Sequence, residues 1–381
     1  MVVKNQEYIK QQNRREVLEM IIRNGPISKS IIAKKMNMSP TSSTRIVNYL
    51  LDSKLVVEDI SNGPNKGKRN LLLPNKKRIV NICIEIDIDT VTIALINLKG
   101  EIISEARVFA ATMDASKVVQ VISHEVKLMT EKQLDGDEMV TGIGIAMPGI
   151  INPSTGTVKV STQFNWKDVP LADMIREATD YDVKVDNELK LKALAENHYS
   201  IRKESSLVMV GFGNGVGSAL ITNDDIYRGS SNASGEIGHI TLDPMGPRCT
   251  CGKYGCLQTY IAKDFLLSDA RKSHDIESME ELIEKAQLNE QWAISILDKA
   301  VSYMILTLNN IVRIYNPSAI YVSGILIENH RYIHEKLENG YHEVDAFRNG
   351  DLKIELTQLK DEGALMGASL MIQRHYIEHL A

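Results

Sequence analysis

The chain has 381 residues, of which 43% are hydrophobic and 24% charged, with a net charge of −5. This composition is typical of a globular protein and leaves room for two or three domains. No run approaches the roughly 18 consecutive apolar residues of a membrane-spanning helix, and the charged start without an apolar core leads us to expect no secretion signal.

The charge is unevenly divided along the chain. Residues 1–80 contain 16 Lys and Arg against 6 Asp and Glu, a net charge of +10, whereas the remainder contains 28 against 43, a net charge of −15. A basic segment on an acidic body predicts that the first 80 residues meet a polyanion. The alternative is a chance cluster of charges on a solvated face.

The basic segment begins with three predicted helices. Apolar residues at helical spacing indicate the first helix over 9–23. Ser28 is suited to cap a second helix that runs to about Met36, and Ser39 is suited to cap a third. Asn37 lies in the short turn between them and tolerates a left-handed backbone.

Two strand-like pieces follow, over 56–60 and 71–73, and a turn rich in Gly and Lys joins them. The order helix, helix, turn, helix, β-ribbon predicts a winged helix-turn-helix domain over residues 1–78. Short hydroxyls and Arg suit base edges, and a basic wing suits phosphates or the minor groove. The expected DNA-binding residues are Thr41, Ser42, Thr44 and Arg45 in the third helix and Lys66, Lys68 and Arg69 in the wing. A helical bundle used for protein contact is the alternative.

From residue 79 the pattern changes to interleaved strands and helices. Strands are predicted over 82–89, 91–97, 101–106, 140–145, 182–185, 207–210 and 319–322, and helices over 117–133 and 190–199. This mixture predicts an α/β body with mixed sheets over residues 79–381. The alternating glycines of residues 211–217 are equally compatible with a loop that binds an anion or sugar hydroxyl and with a tight hairpin.

Four residues in the second half predict a metal site. His239 lies ten residues before Cys249, and Cys251 and Cys256 follow at spacings of two and five. Three thiolates and one imidazole form the ligand set of a closed tetrahedral zinc site. Because no ligand position is left for water, the zinc would be structural rather than hydrolytic. The alternative is a group of reduced, unrelated thiols.

Together these motifs resemble the ROK family of repressors, open reading frames and sugar kinases, and more closely its winged-helix repressors, such as the xylose repressors. The resemblance covers nearly the whole chain and rests most on Gly235-Glu236-Ile237-Gly238-His239 together with the cysteine run 249–256. Further matching segments are 147–149, 166–171, 187–196, 213–217, 227–229 and 363–368. The resemblance implies an actin-like, ribonuclease-H-like two-lobed body of the sugar-kinase type, with a sugar between the lobes, a structural zinc and a dimeric or tetrameric assembly.

A sugar site is also implied by the resemblance. Glu188 stands where the family's kinases carry a catalytic Asp, and Gln258 stands where the family usually has Glu. Amides and carboxylates are the groups that a ring of hydroxyls needs as partners. The implied sugar-binding residues are Asn187, Glu188, Glu236, His239, Gln258 and Gln163.

One departure from the family bears on catalysis. Where the kinases have the phosphate loop Asp-x-Gly-Gly-Thr, this chain has Glu85 at the Asp, Asp87-Ile88 at the two glycines and Asp89 at the Thr. A β-branched side chain blocks the approach of phosphate to the backbone, and two carboxylates repel it. We therefore expect that the body is not an enzyme.

The sequence thus predicts a cytoplasmic, sugar-responsive transcriptional repressor of carbohydrate-utilisation genes, including those of xylose metabolism. A homodimer or homotetramer would bind an inverted-repeat operator, and a monosaccharide or derivative would release it. Two alternatives remain open. One is an ATP-dependent sugar kinase with a DNA-binding head, and the other is a DNA-binding protein that binds no sugar.

Overall fold

The structure is a computed structural model that describes residues 6–59, 71–199, 204–341 and 352–379. The predicted wing residues Lys66, Lys68 and Arg69 lie outside the described residues. The chain divides into two compact units. Unit 1 comprises Met1–Ala146, Pro170–Val185 and Ala368–Ala381, and unit 2 comprises Met147–Val169 and Asp186–Gly367.

The first elements in chain order are α1 (Gln6–Asn24), β1 (Ile27–Ser28), α2 (Lys29–Lys35), α3 (Pro40–Asp52), β2 (Val56–Asp59), β3 (Leu71–Pro74), β4 (Ile79–Asp87), β5 (Thr90–Asn97), β6 (Ile102–Phe109), α4 (Ala115–Gln133) and β7 (Met139–Met147). The middle of the chain forms β8 (Ile150–Asn152), β9 (Thr157–Ser161), β10 (Trp166–Val169), α5 (Leu171–Thr179), β11 (Val183–Asn187), α6 (Glu188–Tyr199), β12 (Ser206–Phe212), β13 (Val216–Thr222) and β14 (Asp225–Ile226). The last elements are α7 (Lys263–Ala270), α8 (Met279–Gln287), α9 (Gln291–Tyr315), β15 (Ala319–Ser323), α10 (Ile325–Glu328), α11 (Arg331–Asn339), β16 (Lys353–Leu356) and α12 (Gly363–Glu378).

Residues 6–59 and 71–78, here called the head, have the element order of a winged helix-turn-helix. The Ser28 hydroxyl accepts from the Ile31 N–H at 3.4 Å, and the Ser39 hydroxyl accepts from the Ser42 N–H at 3.1 Å. Asn37 has φ +49°, in the left-handed region. The predicted caps and turn are therefore present, whereas the two-residue strand β1, which pairs with β3, was not predicted.

The main sheet of unit 1 has the strand order β11-β7-β4-β5-β6. Strand β4 pairs with β5 antiparallel and with β7 parallel, so the sheet is mixed, as predicted. Its central strands β4 and β5 are almost wholly buried, which explains their near-continuous apolar sequence.

The head core continues into the rest of unit 1. Leu18, Ile21 and Leu50 of the head pack in one buried cluster with Ile79 at the start of β4 and Ile377 near the end of α12. The Lys99 ammonium, in the turn between β5 and β6, donates to the Ile22 carbonyl at 2.9 Å. These contacts join the head to the β-sheet and to the C-terminal helix.

Unit 2 contains the sheets β10-β9-β8 and β14-β13-β12-β15-β16. Helices α7, α8, α9 and α11 bury apolar side chains in one core with strands β12 and β15. The glycine-rich segment forms a hairpin, because Gly211 pairs with Gly217 across β12 and β13, and the Gly213 N–H donates to the Gly215 carbonyl at 2.9 Å. Within the described residues, no helix is both long and apolar enough to cross a bilayer.

Candidate functional site

The predicted DNA-reading face of α3 is exposed. Buried residues of this helix, such as Ile46 and Val47, point into the head core. The four predicted residues on the other side, Thr41, Ser42, Thr44 and Arg45, are all exposed. The Thr44 hydroxyl donates to the Pro40 carbonyl at 2.9 Å, so it also closes the first turn of the helix.

Asn48 extends this face and was missed by the sequence reasoning. It is exposed and lies three residues after Arg45, one helical turn further along α3. Its side-chain oxygen accepts from the Lys29 ammonium at 3.5 Å, and Lys29 also pairs with Glu58 at 3.5 Å. Asn is a residue that reads adenine edges, and its helical spacing from Thr41 and Arg45 was the available signal.

The four predicted metal ligands lie together in unit 2. One ligand atom from each of His239, Cys249, Cys251 and Cys256 lies within 4.8 Å of the others. The Cys249 Sγ is 3.7 Å from the His239 Nδ1, and the Cys251 Sγ is 3.7 Å from the Cys256 Sγ. A tetrahedron with Zn–S bonds of about 2.3 Å has edges of about 3.8 Å, so the spacing fits a zinc ion.

The loop around these thiols is tightly folded. The Cys249 N–H donates to the Lys253 carbonyl at 2.8 Å, and the Gly252 N–H donates back to the Cys249 carbonyl at 3.0 Å. Gly255 has φ +62°, and a Cβ there would lie 1.5 Å from the Asp243 carbonyl oxygen. Only glycine fits at this position, because both the backbone conformation and the space exclude a side chain.

Gln258 lies beside the thiol cluster in the structure. Its amide Nε2 is 3.3 Å from the Cys249 Sγ and 3.3 Å from the Thr250 hydroxyl, and the residue is 9% exposed. An N–H donor to a thiolate sulfur is the kind of outer partner that orients metal ligands. The two hydrogen bonds of the Gln258 amide therefore lie at the predicted metal site, and its implied sugar contact stays a prediction.

Asn187 and Glu188 lie at the junction of β11 and α6. The Asn187 Oδ1 accepts from the N–H groups of Leu189 and Lys190 at 3.1 Å each, which caps the helix. Its Nδ2 donates to the Gly149 carbonyl at 3.2 Å and to the Glu188 carboxylate at 3.1 Å. The cap explains why α6 begins at residue 188, two residues earlier than predicted.

A buried polar network supports these two residues, and the sequence reasoning did not identify it. Asp186 is 0% exposed and accepts from the Arg228 guanidinium at 2.6 Å, from the Asn232 amide at 3.2 Å and from the Asn187 N–H at 2.8 Å. Lys190 is 3% exposed and donates to the Asn232 carbonyl. Burial lowers the pKa of Lys190, and the nearby Asp186 and Glu236 carboxylates act in the opposite direction.

A single turn of 3₁₀-helix spans Ile237–His239, so Glu236 is the residue that precedes it and His239 is its last residue. The Ser218 N–H of β13 donates to the Gly235 carbonyl at 2.8 Å. A Cβ on Gly235, which has φ +91°, would lie 1.8 Å from the Ser218 carbonyl oxygen, so the close approach requires glycine. Glu236 is exposed and lies near enough to Lys190 to influence its pKa.

Gln163 and Ser161 carry unpartnered polar atoms. The Gln163 Oε1 and the Ser161 Oγ are both buried without a hydrogen-bond partner among the described residues. Ser161 packs against Gly149, whose carbonyl accepts from Asn187, and Gln163 lies near Gly215 of the hairpin. An unpaired buried acceptor costs about 1–3 kcal/mol, so a hydroxyl ligand at Gln163 would remove that cost.

The turn between β4 and β5, which we expect at the position of the kinases' phosphate loop, lies in unit 1. The Ile88 N–H donates to the Asp87 carboxylate at 2.7 Å, and the Asp89 N–H donates to the Thr112 hydroxyl at 3.0 Å. Asp89 has φ +56° in the two-residue turn between β4 and β5. Both backbone N–H groups of this two-residue turn are therefore already engaged.

Comparison with known proteins identifies relatives of this chain. Residues 81–375 match the profile of the ROK family. A xylose repressor of Bacillus spizizenii is 29% identical over 337 residues, which cover 87% of this chain and 86% of the relative. The DNA-binding transcriptional repressor Mlc of Escherichia coli is 26% identical over 399 residues, which cover 99% of this chain and 97% of the relative.

Solved structures share the fold. A ROK family transcriptional regulator described as a homologue of the Escherichia coli Mlc protein has a TM-score of 0.81 at 24% identity and covers 97% of each chain. The ROK hexokinase of Thermus thermophilus has a TM-score of 0.68 at 20% identity and covers 78% of this chain and 99% of its own. The predicted fold class is confirmed, and the match over residues 81–375 means that the chain belongs to the ROK family.

Proposed function

We propose that this protein is a sugar-responsive, DNA-binding repressor of carbohydrate-utilisation genes that acts in the cytoplasm. The observation that carries the proposal is that one chain combines an exposed polar and basic face of α3 with polar side chains in unit 2 that can hydrogen-bond to sugar hydroxyls. The repressor relatives, which match most of the chain, support it. Because three relatives are named xylose repressor, D-xylose is the first monosaccharide to test.

Operator binding would use the exposed face of α3. Thr41, Arg45 and Asn48 offer a hydroxyl, a guanidinium and an amide along one helix face, which suits base edges in a major groove. Two copies in a homodimer, or in half of a homotetramer, would bind an inverted repeat with half-sites about 34–36 Å apart. The net charge of +10 in residues 1–80 would add phosphate attraction.

Sugar binding would use unit 2. Asn187, Glu188 and Glu236 offer acceptors and donors to ring hydroxyls, and Gln163 offers its unpaired Oε1. A bound zinc would supply the positive charge that fixes His239 through its Nδ1, which leaves Nε2 for a hydroxyl. The sugar can shift DNA binding only because it binds the operator-free state more tightly than the operator-bound state.

The proposed repressor has no transferase activity. Asp87 and Asp89 would place two carboxylates beside the position that the phosphates of ATP would take, and the Ile88 and Asp89 N–H groups already donate to Asp87 and Thr112. Two like charges about 4 Å apart near a surface cost on the order of 4 kcal/mol. A neutral sugar does not meet this repulsion, so sugar binding and loss of phosphoryl transfer are compatible.

The test is operator release. An operator is first selected from a random DNA library, and fluorescence anisotropy then follows its release by a panel of monosaccharides, beginning with D-xylose. Glu236→Ala is expected to keep operator affinity and to lose release, whereas the control Glu284→Ala, an exposed carboxylate on α8, should behave as the parent. A parent that selects no sequence, or an operator that no sugar releases, would contradict the proposal.

A second candidate is an ATP-dependent sugar kinase with a DNA-binding head. The observation that favours it is Glu188, a carboxylate at the start of α6 that can act as a general base. The ROK hexokinase and glucokinase structures that share the fold are compatible with a sugar kinase. A coupled ADP-release assay decides the matter, because sugar phosphate formed by the parent and lost in Glu188→Gln would establish the kinase.

A further inference from the structure

Strand β6 forms an open edge of the main sheet in unit 1. It is eight residues long, and among the described residues it pairs only with β5, with one irregularity of register at Ile103, since the strand order β11-β7-β4-β5-β6 ends there. Long edge strands of globular proteins are usually shortened, bulged away or covered, because their free N–H and C=O groups recruit other strands. The outer face of β6 is also apolar at both ends, with Ile103 45% exposed and Phe109 87% exposed.

The exposed face of β6 is self-complementary. Ile103, Glu105, Arg107 and Phe109 alternate along it and are all exposed. Neither Glu105 nor Arg107 forms an ion pair with another residue in the part of the chain that the structure describes. The four residues are symmetric about Ala106, with the two charges at the inner positions and the two apolar side chains at the outer ones.

We propose that two copies of this chain pair through β6, antiparallel and centred on Ala106. In that register Glu105 faces the partner's Arg107, and Ile103 faces the partner's Phe109, on both sides of the two-fold axis. Opposite charges and apolar residues directly across an antiparallel pair each contribute about 0.2–1 kcal/mol. A shift of the axis to residue 105 or 107 would instead place like charges opposite each other.

The pairing also suits operator binding. The turn at Lys99 and Gly100, which contacts the head, lies six residues from Ala106, or about 20 Å at ~3.3 Å per residue. The two such turns of a pair would therefore lie about 40 Å apart, comparable with half-sites separated by ~34–36 Å. A single strand pair buries less than the ~1,200 Å² of a standard interface, so we expect an association step that depends on concentration.

Charge exchange tests the register. Light scattering after size-exclusion chromatography, over a range of concentrations, measures the mass of the parent and of three variants. Glu105→Arg and Arg107→Glu each place like charges across the axis and should remove one association step. The double variant Glu105→Arg/Arg107→Glu restores opposite charges and should restore the step. If all three variants keep the parental mass at every concentration, the β6 pairing is wrong.

A disulfide tests the axis itself. Opposed Cα atoms in an antiparallel pair are about 4.5–5.5 Å apart, within the range that a disulfide spans, so Ala106→Cys should form a covalent dimer on mild oxidation. Ser104→Cys is the control, because its own copy would lie about 13 Å away and should not cross-link. The inference rests on the proposed assembly of at least two copies. A parent that is monomeric at every concentration rejects that assembly, whereas an oligomer insensitive to these variants rejects only the β6 surface.

Discussion

At the residue scale, the candidate sugar site depends on a lysine that is almost fully buried. The Lys190 ammonium lies among Asp186, Arg228 and Asn232, and burial lowers its pKa while the Asp186 carboxylate raises it. A buried charge persists only when it is paired and hydrogen-bonded. The hydrogen bonds of Lys190 and Asp186 therefore hold the backbone from which Asn187 and Glu188 project.

The metal site gives the first prediction. Freshly purified, reduced protein should contain about one zinc per chain, and Cys251→Ser should lose it because a closed tetrahedral site needs all four ligands. Sugar affinity should fall in the same variant, since His239 is no longer held. Mass spectrometry of the metal content measures the first effect and calorimetry the second. Cys83→Ala, which removes the buried cysteine of β4, is the control and should keep its zinc.

The recognition helix gives the second prediction. Arg45→Ala should weaken specific operator binding by about 1–3 kcal/mol if the guanidinium makes a bidentate base contact, with a smaller effect on random DNA. The control Lys77→Ala also removes one positive charge, but outside α3. Any loss of binding affinity in this variant should therefore be equal for operator and random DNA. Anisotropy titrations at fixed salt measure both variants. Parental operator binding by Arg45→Ala would show that α3 does not read the operator.

Sequence spacing could predict some of these residues but not others. His239 and the three cysteines lie within one short segment, so their chemistry is visible locally. Asp186 meets Arg228 and Asn232 across 42 and 46 residues, and no spacing rule connects a strand end with a distant turn. Only the folded chain shows that these polar groups are buried together.

At the scale of elements, the sequence predicts the helix N-caps but not which strands pair with each other. Ser28 and Ser39 precede helices in the sequence as they do in the structure, because a cap is a local hydrogen bond. The glycines of residues 211–217 were ambiguous, since a ligand loop and a hairpin need the same backbone freedom. The seven paired positions of β12 and β13 show that the segment forms a hairpin. Ligand binding at its turn stays a prediction.

The attachment of α12 to β11 gives the third prediction. The His375 Nε2 lies 2.7 Å from an Asp182 carboxylate oxygen, and Arg176 lies 3.8 Å from the other oxygen. Burial raises the pKa of Asp182, but the hydrogen bonds from His375 and the Val183 N–H outweigh it, so this pKa lies below its ordinary 3.8. The carboxylate therefore stabilises the fold above about pH 4, and the contribution disappears as pH falls through the lower folded-state pKa.

Asp182→Asn should accordingly lower the free energy of unfolding near pH 6 by about 0.5–1 kcal/mol, a modest value because the carboxylate is half exposed. The difference in the free energy of unfolding between Asp182→Asn and the parent should become smaller below pH 4. Urea unfolding at several pH values measures it. Asp173→Asn removes a carboxylate that pairs within α5 and should not reproduce the effect. A difference that is constant from pH 3 to 7 would exclude this role for Asp182.

At the scale of the whole molecule, the head is less separate than its charge suggests. The sequence predicts a boundary at residue 78, where composition changes. The head core nevertheless contains Ile79, Leu98 and Ile377, and the Tyr376 hydroxyl donates to the Met139 sulfur at 2.9 Å. A cluster that joins residues as distant as Leu18 and Ile377 leaves no local pattern in a sequence, and the division at residue 78 stays a prediction.

The last prediction tests this shared core. Ile377 is 2% exposed and packs with head residues such as Leu18 and Leu50, so Ile377→Ala should cost about 2–5 kcal/mol locally, as a cavity in a packed core does. The destabilisation should affect the attachment of the head, because none of the described residues of unit 2 belongs to this cluster. We expect faster proteolysis of the head and weaker operator binding, with zinc content and sugar affinity unchanged. Leu306→Ala, an exposed apolar residue of α9, is the matched control. Parental operator affinity and proteolysis in Ile377→Ala would mean that the head folds independently of α12, and that the charge boundary at residue 78 is also a structural one.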